Sequence, residues 1–490
     1  MKNVSRETRN ASGPGVCGRG GRHRALRIRR AIAGGLGALV LMTGVAGAAP
    51  ASDEHPHRGH RWVRSHPYTI AGLVRNVPQP FDLEQYLAAG FSSVLAWERG
   101  SYEKLLPQIS AAGAPYMLNL EKWGDKEANK KGSNTETMAE GLRVLDREGS
   151  LQEIADWLAN PGCIGFAAND EASKPTYLRY TRRLLKRLRQ EFPDALAFCN
   201  AHPAGHESEQ GGYINLLHYF DEFAAMVDPD IFMTDVYPLG DSERISGNYY
   251  ELLEAVRKTG LEHGMPYWMF IQSFEVTGSW TRRLPSETDL RVQMFAPLTY
   301  GYTGILYFTY DIAFERGLIE STGEPNRLYH AAARANPEVS NIGAAMRFLT
   351  STDVRHVPGV HSHEGAEVEN ELPNGTKKWE PGAGGDDHVR SVVVSEPGKG
   401  KNALLGFFRD DRGNMYFMIT NLWHNADASA EDRTLTITMR FDPSVKKLYR
   451  LSRTTGETET VKLRDGILEI TLPGGTGDLF KYRRDPFPGT

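Results

Sequence analysis

The chain has 490 residues, 40% of them hydrophobic and 24% charged, with a formal charge of −4. That length is enough for more than one domain and a large apolar core, and the composition is globular rather than disordered. The charge is uneven: nine Lys or Arg and the single acid Glu7 fall in the first thirty positions, and without residues 1–51 the net charge is −12. An acidic chain with no basic block excludes nucleic acid and an anionic membrane surface as partners.

In chain order, the basic N-terminal stretch leads into an uncharged apolar run from Ala31 to Ala48. Two small-x-small sites, Ala46-Gly47-Ala48 and Ala49-Pro50-Ala51, close it. Residues 1–51 therefore read as a secretory signal peptide, and the mature chain as secreted. Arg29-Arg30 followed by Ile32 is a partial twin-arginine pattern. Residues 52–65, with His55, His57 and His60, read as a solvated linker. No Cys or carboxylate spacing there supports a metal site.

From residue 66 to 350 an apolar run, a polar break and an amphipathic helix recur eight times. The runs are predicted as strands over 68–75, 92–98, 115–123, 163–171, 195–203, 230–238, 266–275 and 305–311. Near-continuous apolar strands separated by helix-length segments are how a (β/α)8 TIM barrel is written. No Gly-x-Gly-x-x-Gly follows the first strand and no Walker loop appears, which argues against dinucleotides and nucleoside triphosphates, and no redox cofactor is expected. Cys163 and Cys199 fall in neighbouring predicted strands but at different depths, too far apart to bridge, and read as free thiols.

Beyond residue 350 the period changes. Short alternating runs such as ALLGFFRD, MYFMITNLW and TLTITMRF, separated by turns, predict an all-β antiparallel sandwich domain over 351–490. The stretch from Gly365 to Asp387 reads as a mobile loop. No run of exposed aromatics marks the sandwich as a sugar-binding module, so it reads as a cap packed on the barrel.

Barrel active sites lie at the C-terminal ends of the strands. Collected there are Arg75 and Asn76, Trp97 and Glu98, Glu121 and Trp123, Asn169-Asp170-Glu171, Asn200 and His202, Asp235 and Tyr237, Gln272 and Glu275, and Tyr310 and Asp311. Acids and amides hydrogen-bond hydroxyls, while Trp and Tyr rings cover the C–H face of a sugar. Paired carboxylates are what glycosidic cleavage requires, one to protonate the leaving oxygen and one to attack or to activate water. His202 has no partner at metal-ligand spacing and reads as a sugar contact or a buried, bonded histidine.

Asn169-Asp170-Glu171 at the end of the fourth strand resembles the Asn-Glu motif of clan A glycoside hydrolases, where the Glu is the general acid/base. The segment QMFAPLTYGYTGILYFTYD is similar to the last helix and strand of secreted barrels of that kind. The resemblance implies an exported glycoside hydrolase with Glu171 as acid/base. Two positions depart from the pattern: Asp170 intervenes between Asn169 and Glu171, and Gln272 stands where the clan places its Glu nucleophile. Asp235, or in reserve Glu275, is then the partner carboxylate, with Gln272 expected between Asp235 and Glu171 as a donor. A water-activating Asp235 makes inversion the expected outcome, which needs the carboxyls about 6.5–9.5 Å apart rather than about 5–5.5 Å. Trp97, Glu121, Trp123, Asn169, Asp170, Asn200, His202, Tyr237, Gln272, Tyr310 and Asp311 are the expected substrate contacts. A non-catalytic carbohydrate-binding barrel is the alternative, and a polysaccharide lyase using Arg75 and Lys122 comes third.

Overall fold

A computed structural model describes residues 57–76, 80–97, 99–120, 152–204, 212–242 and 245–490. The expected signal peptide lies outside the described residues, as do His55, Glu98, Glu121, Lys122 and Trp123.

Eight parallel strands close into a barrel in sequence order. They are β1 (Thr69–Val74), β2 (Ser93–Ala96), β3 (Tyr116–Asn119), β4 (Cys163–Ala167), β5 (Leu196–Ala201), β6 (Phe232–Asp235), β7 (Tyr267–Gln272) and β8 (Gly304–Phe308). Alternation sorts their side chains. Ala71, Leu73, Leu95, Met117, Leu196, Phe198, Met233, Trp268, Phe270 and Leu306 fill the interior. Their neighbours Ile70, Val74, Val94, Phe166, Met269, Ile271 and Ile305 join the outer core under the helices. Gly304 is required where it stands, since a Cβ there would lie 2.6 Å from the Trp268 indole.

Helices α1 (Arg58–Ser65), α2 (Leu83–Ala88), α3 (Tyr102–Ala111), α4 (Gln152–Trp157), α5 (Pro175–Glu191), α6 (Leu216–Val227), α7 (Tyr249–Glu262), α8 (Glu287–Tyr300) and α9 (Arg327–Met346) accompany the strands. Helix α1 corrects the reading of residues 58–65 as part of a solvated linker. Its Trp62 is 6% exposed and packs edge-on against Trp268, with ring centroids 5.9 Å apart. The short charged sequence RGHRWVRS concealed a plug for the barrel interior, because a single Trp every eight residues carries no periodic signal.

The remaining strands are β9 (Thr350–Val357), β10 (Val360–His363), β11 (Ala366–Glu369), β12 (Val389–Val394), β13 (Ala403–Arg409), β14 (Met415–Asn421), β15 (Leu435–Phe441), β16 (Lys447–Leu451), β17 (Thr458–Lys462), β18 (Ile467–Leu472) and β19 (Gly477–Lys481). A six-stranded sheet, β17-β16-β19-β14-β13-β9, faces a three-stranded sheet, β12-β15-β18. Leu405, Phe407, Phe417, Ile437, Met439, Ile470 and Phe480 belong to the core they enclose. The stretch expected to be a mobile loop is instead tied down. It carries β11 of the β10–β11 hairpin, and Asn370 and Asp386 are buried at 6% and 1% exposure. Asn370 donates to the carbonyls of Gly398 and Lys401.

The second face of the six-stranded sheet packs on the barrel. Val354, Leu404, Phe408, Tyr416, Met418, Tyr449 and Leu479 belong to the same apolar cluster as the barrel helices. Helix α8, covered on both sides, is buried from Thr288 to Tyr300. Its polar residues are each partnered: Thr299 with Thr420 at 2.7 Å, Arg291 with Glu338 at 3.0 Å, and Asp289 in the capping box with Ser286.

Candidate active site

The C-terminal ends of the barrel strands open into a cleft whose free space, mouth included, is about 690 Å³, within the range of small-molecule sites. Leu73, Leu95, Ala167, Phe270 and Phe308 are its apolar lining. Its polar side is built by β3 to β6 and the residues just after them: Asn119, Asn169, Asp170, Glu171, Asn200 and Asp235. The remaining side is aromatic, with Trp97, Tyr237, Trp280 and Phe314.

Each polar group is fixed by its strand. Asn169 donates its amide to Thr181 Oγ1 on α5 (2.8 Å), and its own Oδ1 accepts from the Asp170 backbone N–H (2.9 Å). That turn leaves Glu171 in the left-handed region, φ 47°, with its backbone N–H donating to the Asn200 carbonyl at 2.9 Å. A non-glycine residue held there is uncommon and costs conformational energy, which the surrounding bonds must supply. Asn200 joins the acids, its Nδ2 donating to Asp170 Oδ1 (3.1 Å) and to Asp235 Oδ1 (2.8 Å). The Glu171 carboxylate, 39% exposed, lies 3.8 Å from His202 Nε2. His202 Nδ1 accepts from the Ala204 backbone N–H (2.9 Å), so in the neutral ring the proton is on Nε2, facing Glu171.

Asp235 is 5% exposed. Burial first, and then the neighbouring Glu171 charge, push its carboxyl up to about 7, against the lowering effect of hydrogen bonds from Asn200 and Tyr237. Tyr237 is itself driven well above its ordinary value by burial and by Asp235, so its hydroxyl remains a donor. The cleft thus holds one carboxyl that keeps its proton well above the usual carboxylate range beside a second, more exposed one.

The aromatic side is continuous. Tyr237 lies 5.0 Å from Phe274 and 5.3 Å from Phe308, Trp97 5.1 Å from Phe308, and Trp280 5.8 Å from Phe314. Trp280 and Phe314 remain 40% and 42% exposed at the rim. They stand on the loops after β7 and β8, which pair through an antiparallel bridge between Glu275 and Arg316.

Of the expected contacts, Trp97, Asn169, Asp170, Glu171, Asn200, Asp235 and Tyr237 line this one cleft, and His202 borders it at Glu171. Gln272 does not. It is fully buried, its Oε1 accepting from the Leu239 N–H (2.9 Å) and its Nε2 donating to the carbonyls of Leu239 and Arg283. With both donor and acceptor spent on loop backbone, it cannot donate between Asp235 and Glu171, and Phe270 is the β7 side chain that reaches the cleft. Glu275 is outside the lining, ion-paired with Arg316 at 3.4 Å. Tyr310 and Asp311 are 2% and 7% exposed and line a separate small cavity with Phe81 and Gln85. Asp311 accepts from the backbone N–H groups of Arg75 and Asn76, holding Asn76 at φ 64°. Gln272 closes β7, and Glu275, Tyr310 and Asp311 lie beyond the ends of β7 and β8, where local loop contacts claim the side chains.

The sequence reading missed Asn119, Phe270, Trp280, Phe308 and Phe314. Phe270 and Phe308 were legible as inward-facing positions of apolar strands. Trp280 and Phe314 lie in loops with no period to betray them. Among the described residues no group of three His, Cys, Asp or Glu is arranged to hold a metal.

No protein-family model matches the chain, and no curated protein matches it. Solved structures with similar folds include a β-galactosidase from the psychrophilic Marinomonas (10% identity, 58% of this chain and 62% of that one, TM-score 0.41). A putative α-L-fucosidase from Bacteroides thetaiotaomicron is similar over 61% of this chain and 99% of its own (10% identity, TM-score 0.41). A family 30 subfamily 8 xylanase from Clostridium acetobutylicum is similar over 87% and 96% (10% identity, TM-score 0.42). At such identity the likeness is one of fold.

Proposed function

We propose that this chain is an exported glycoside hydrolase acting on a poly- or oligosaccharide. The observation that carries the reading is the carboxyl pair in one cleft: Asp235, buried and raised to about 7, beside the more exposed Glu171. Environments that drive two carboxyls apart are how acid and base roles are assigned. Asp235 is then the proton holder and Glu171 the ionised partner, the reverse of the roles the sequence motif implied. Asp235 Oδ protonates the glycosidic oxygen as the bond breaks, while Glu171 attacks the anomeric carbon or removes a proton from attacking water. Asn200, which donates to both Asp235 and Asp170, keeps the acids in register, and the aromatic side takes the C–H face of a sugar ring.

Reducing-end release from a panel of plant, fungal and bacterial cell-wall glycans tests the proposal. Release from at least one of them, abolished in Glu171→Gln, supports it; binding without release by the wild-type chain overturns it. That second outcome would favour a carbohydrate-binding barrel. The specific observation on that side is that β7 offers the cleft Phe270 and no carboxylate, Gln272 at the expected nucleophile depth being spent on loop backbone.

A further inference from the structure

We propose that the β-sandwich holds the outer aromatic side of the cleft in place through His424, making His424 a positioning residue for a site it does not touch. Trp280 occupies the tip of a turn closed by an antiparallel bridge between Val276 and Arg282. One limb is fastened to the loop after β8, where the Glu275 N–H donates to the Arg316 carbonyl (3.0 Å) and the Thr277 N–H to Glu315 Oε1 (3.1 Å). The other limb returns through Arg283. Its N–H donates to the Leu239 carbonyl (3.1 Å), its carbonyl accepts from Gln272 Nε2 (2.9 Å), and its guanidinium forms a two-pronged ion pair with Asp289.

Asp289 is fully buried in the first turn of α8, where the Ser286 N–H also donates to it (2.9 Å), and a further donor comes from outside the barrel. His424 Nδ1, on the loop after β14, lies 2.7 Å from Asp289 Oδ1. Burial would raise the Asp289 carboxyl, but hydrogen bonds from His424 and Arg283 more than offset it and hold the group far below the usual carboxylate range. An ionised carboxylate only accepts, so Nδ1 carries the proton and donates. The next residue continues the attachment, the Asn425 carbonyl accepting from Ser286 Oγ (2.7 Å) and Thr288 Oγ1 (3.1 Å). A buried carboxylate deprived of one donor is costly, so Asp289 and its remaining partners, the Arg283 guanidinium and the Ser286 N–H, must shift to satisfy the freed oxygen. Arg283 stands three residues from Trp280.

The experiment uses the full chain labelled with 5-fluorotryptophan, the Trp280 fluorine resonance being assigned with Trp280→Phe. His424→Phe keeps an aromatic ring, somewhat larger than imidazole, and removes the Nδ1–H donor together with Nε2. His424→Asn returns an N–H near the Nδ1 position, and serves if the Phe variant does not fold. The proposal expects the Trp280 resonance to shift or broaden in His424→Phe and to return toward wild type in His424→Asn. On whichever panel glycan is cleaved, KM rises roughly three- to tenfold in His424→Phe while kcat holds within about twofold. An unmoved Trp280 resonance in a folded Phe variant overturns the proposal. So does an Asn variant as perturbed as the Phe variant. The fluorine readout needs no glycan, so its failure is distinct from failure of the glycosidase reading on which the kinetic arm rests.

Discussion

Asp235 is the residue on which the site's chemistry and its stability cost meet. Its carboxyl is raised in the folded state, so the native chain holds a proton that the unfolded chain has lost. Stability contributed by this group therefore falls as pH rises from about 4, where the unfolded carboxyl ionises, through about 7. Asp235→Asn removes that penalty. It melts higher than wild type at pH 8, by roughly 3–6 °C, with little difference at pH 4. A gain that is independent of pH would contradict the burial argument. Glu171 is the second cause of the rise, so Glu171→Gln lowers the pH at which Asp235 ionises; infrared difference spectra of the carboxyl band read this directly. On the glycosidase reading, kcat/KM of the wild type is expected to fall as pH rises through the Asp235 ionisation. Strand ends four and six brought both acids to the barrel mouth in the sequence, but their different environments were not legible. Burial by Asn200, Tyr237 and Phe270 is a three-dimensional fact.

At the scale of elements, the eight strands were legible because parallel strands covered on both faces are written as apolar runs. Their ends were not. Gln272 and Asp311 stood in line with the site residues by count, yet each serves a neighbouring loop, Gln272 at Leu239 and Arg283, Asp311 at Arg75 and Asn76. Helix α1 was missed for a different reason, its one large apolar side chain being hidden among charges. Trp62→Ala empties the space against Trp268 and costs about 3–5 kcal/mol, read by chemical denaturation. A cost under about 1 kcal/mol would mean that the helix merely rests on the barrel.

For the molecule as a whole, the barrel and the sandwich share one apolar cluster and a chain of ion pairs. Arg291 and Arg453 meet at Glu338, and Arg453 and Arg450 meet at the buried Asp478. Cutting after α9, near residue 350, strips α8 of one of its two coverings and leaves Arg291 and Glu338 without their sandwich partners. The fragment is expected to be insoluble or molten; a soluble, cooperatively melting, active fragment would show the sandwich to be a loosely attached module. The change of period near residue 350 made the second architecture visible in the sequence. The shared core was not visible, because an apolar strand face reads the same whether it meets its own sheet or a helix.

The central claim is that Asp235 delivers a proton to a glycosidic oxygen in partnership with Glu171. Its most direct test is turnover of Asp235→Asn on two substrates, the natural glycan and an aryl glycoside of the same sugar whose leaving group needs no proton. Loss of an acid predicts a fall of at least about 100-fold on the glycan and a much smaller one on the aryl glycoside. Equal and mild losses on both would contradict the account.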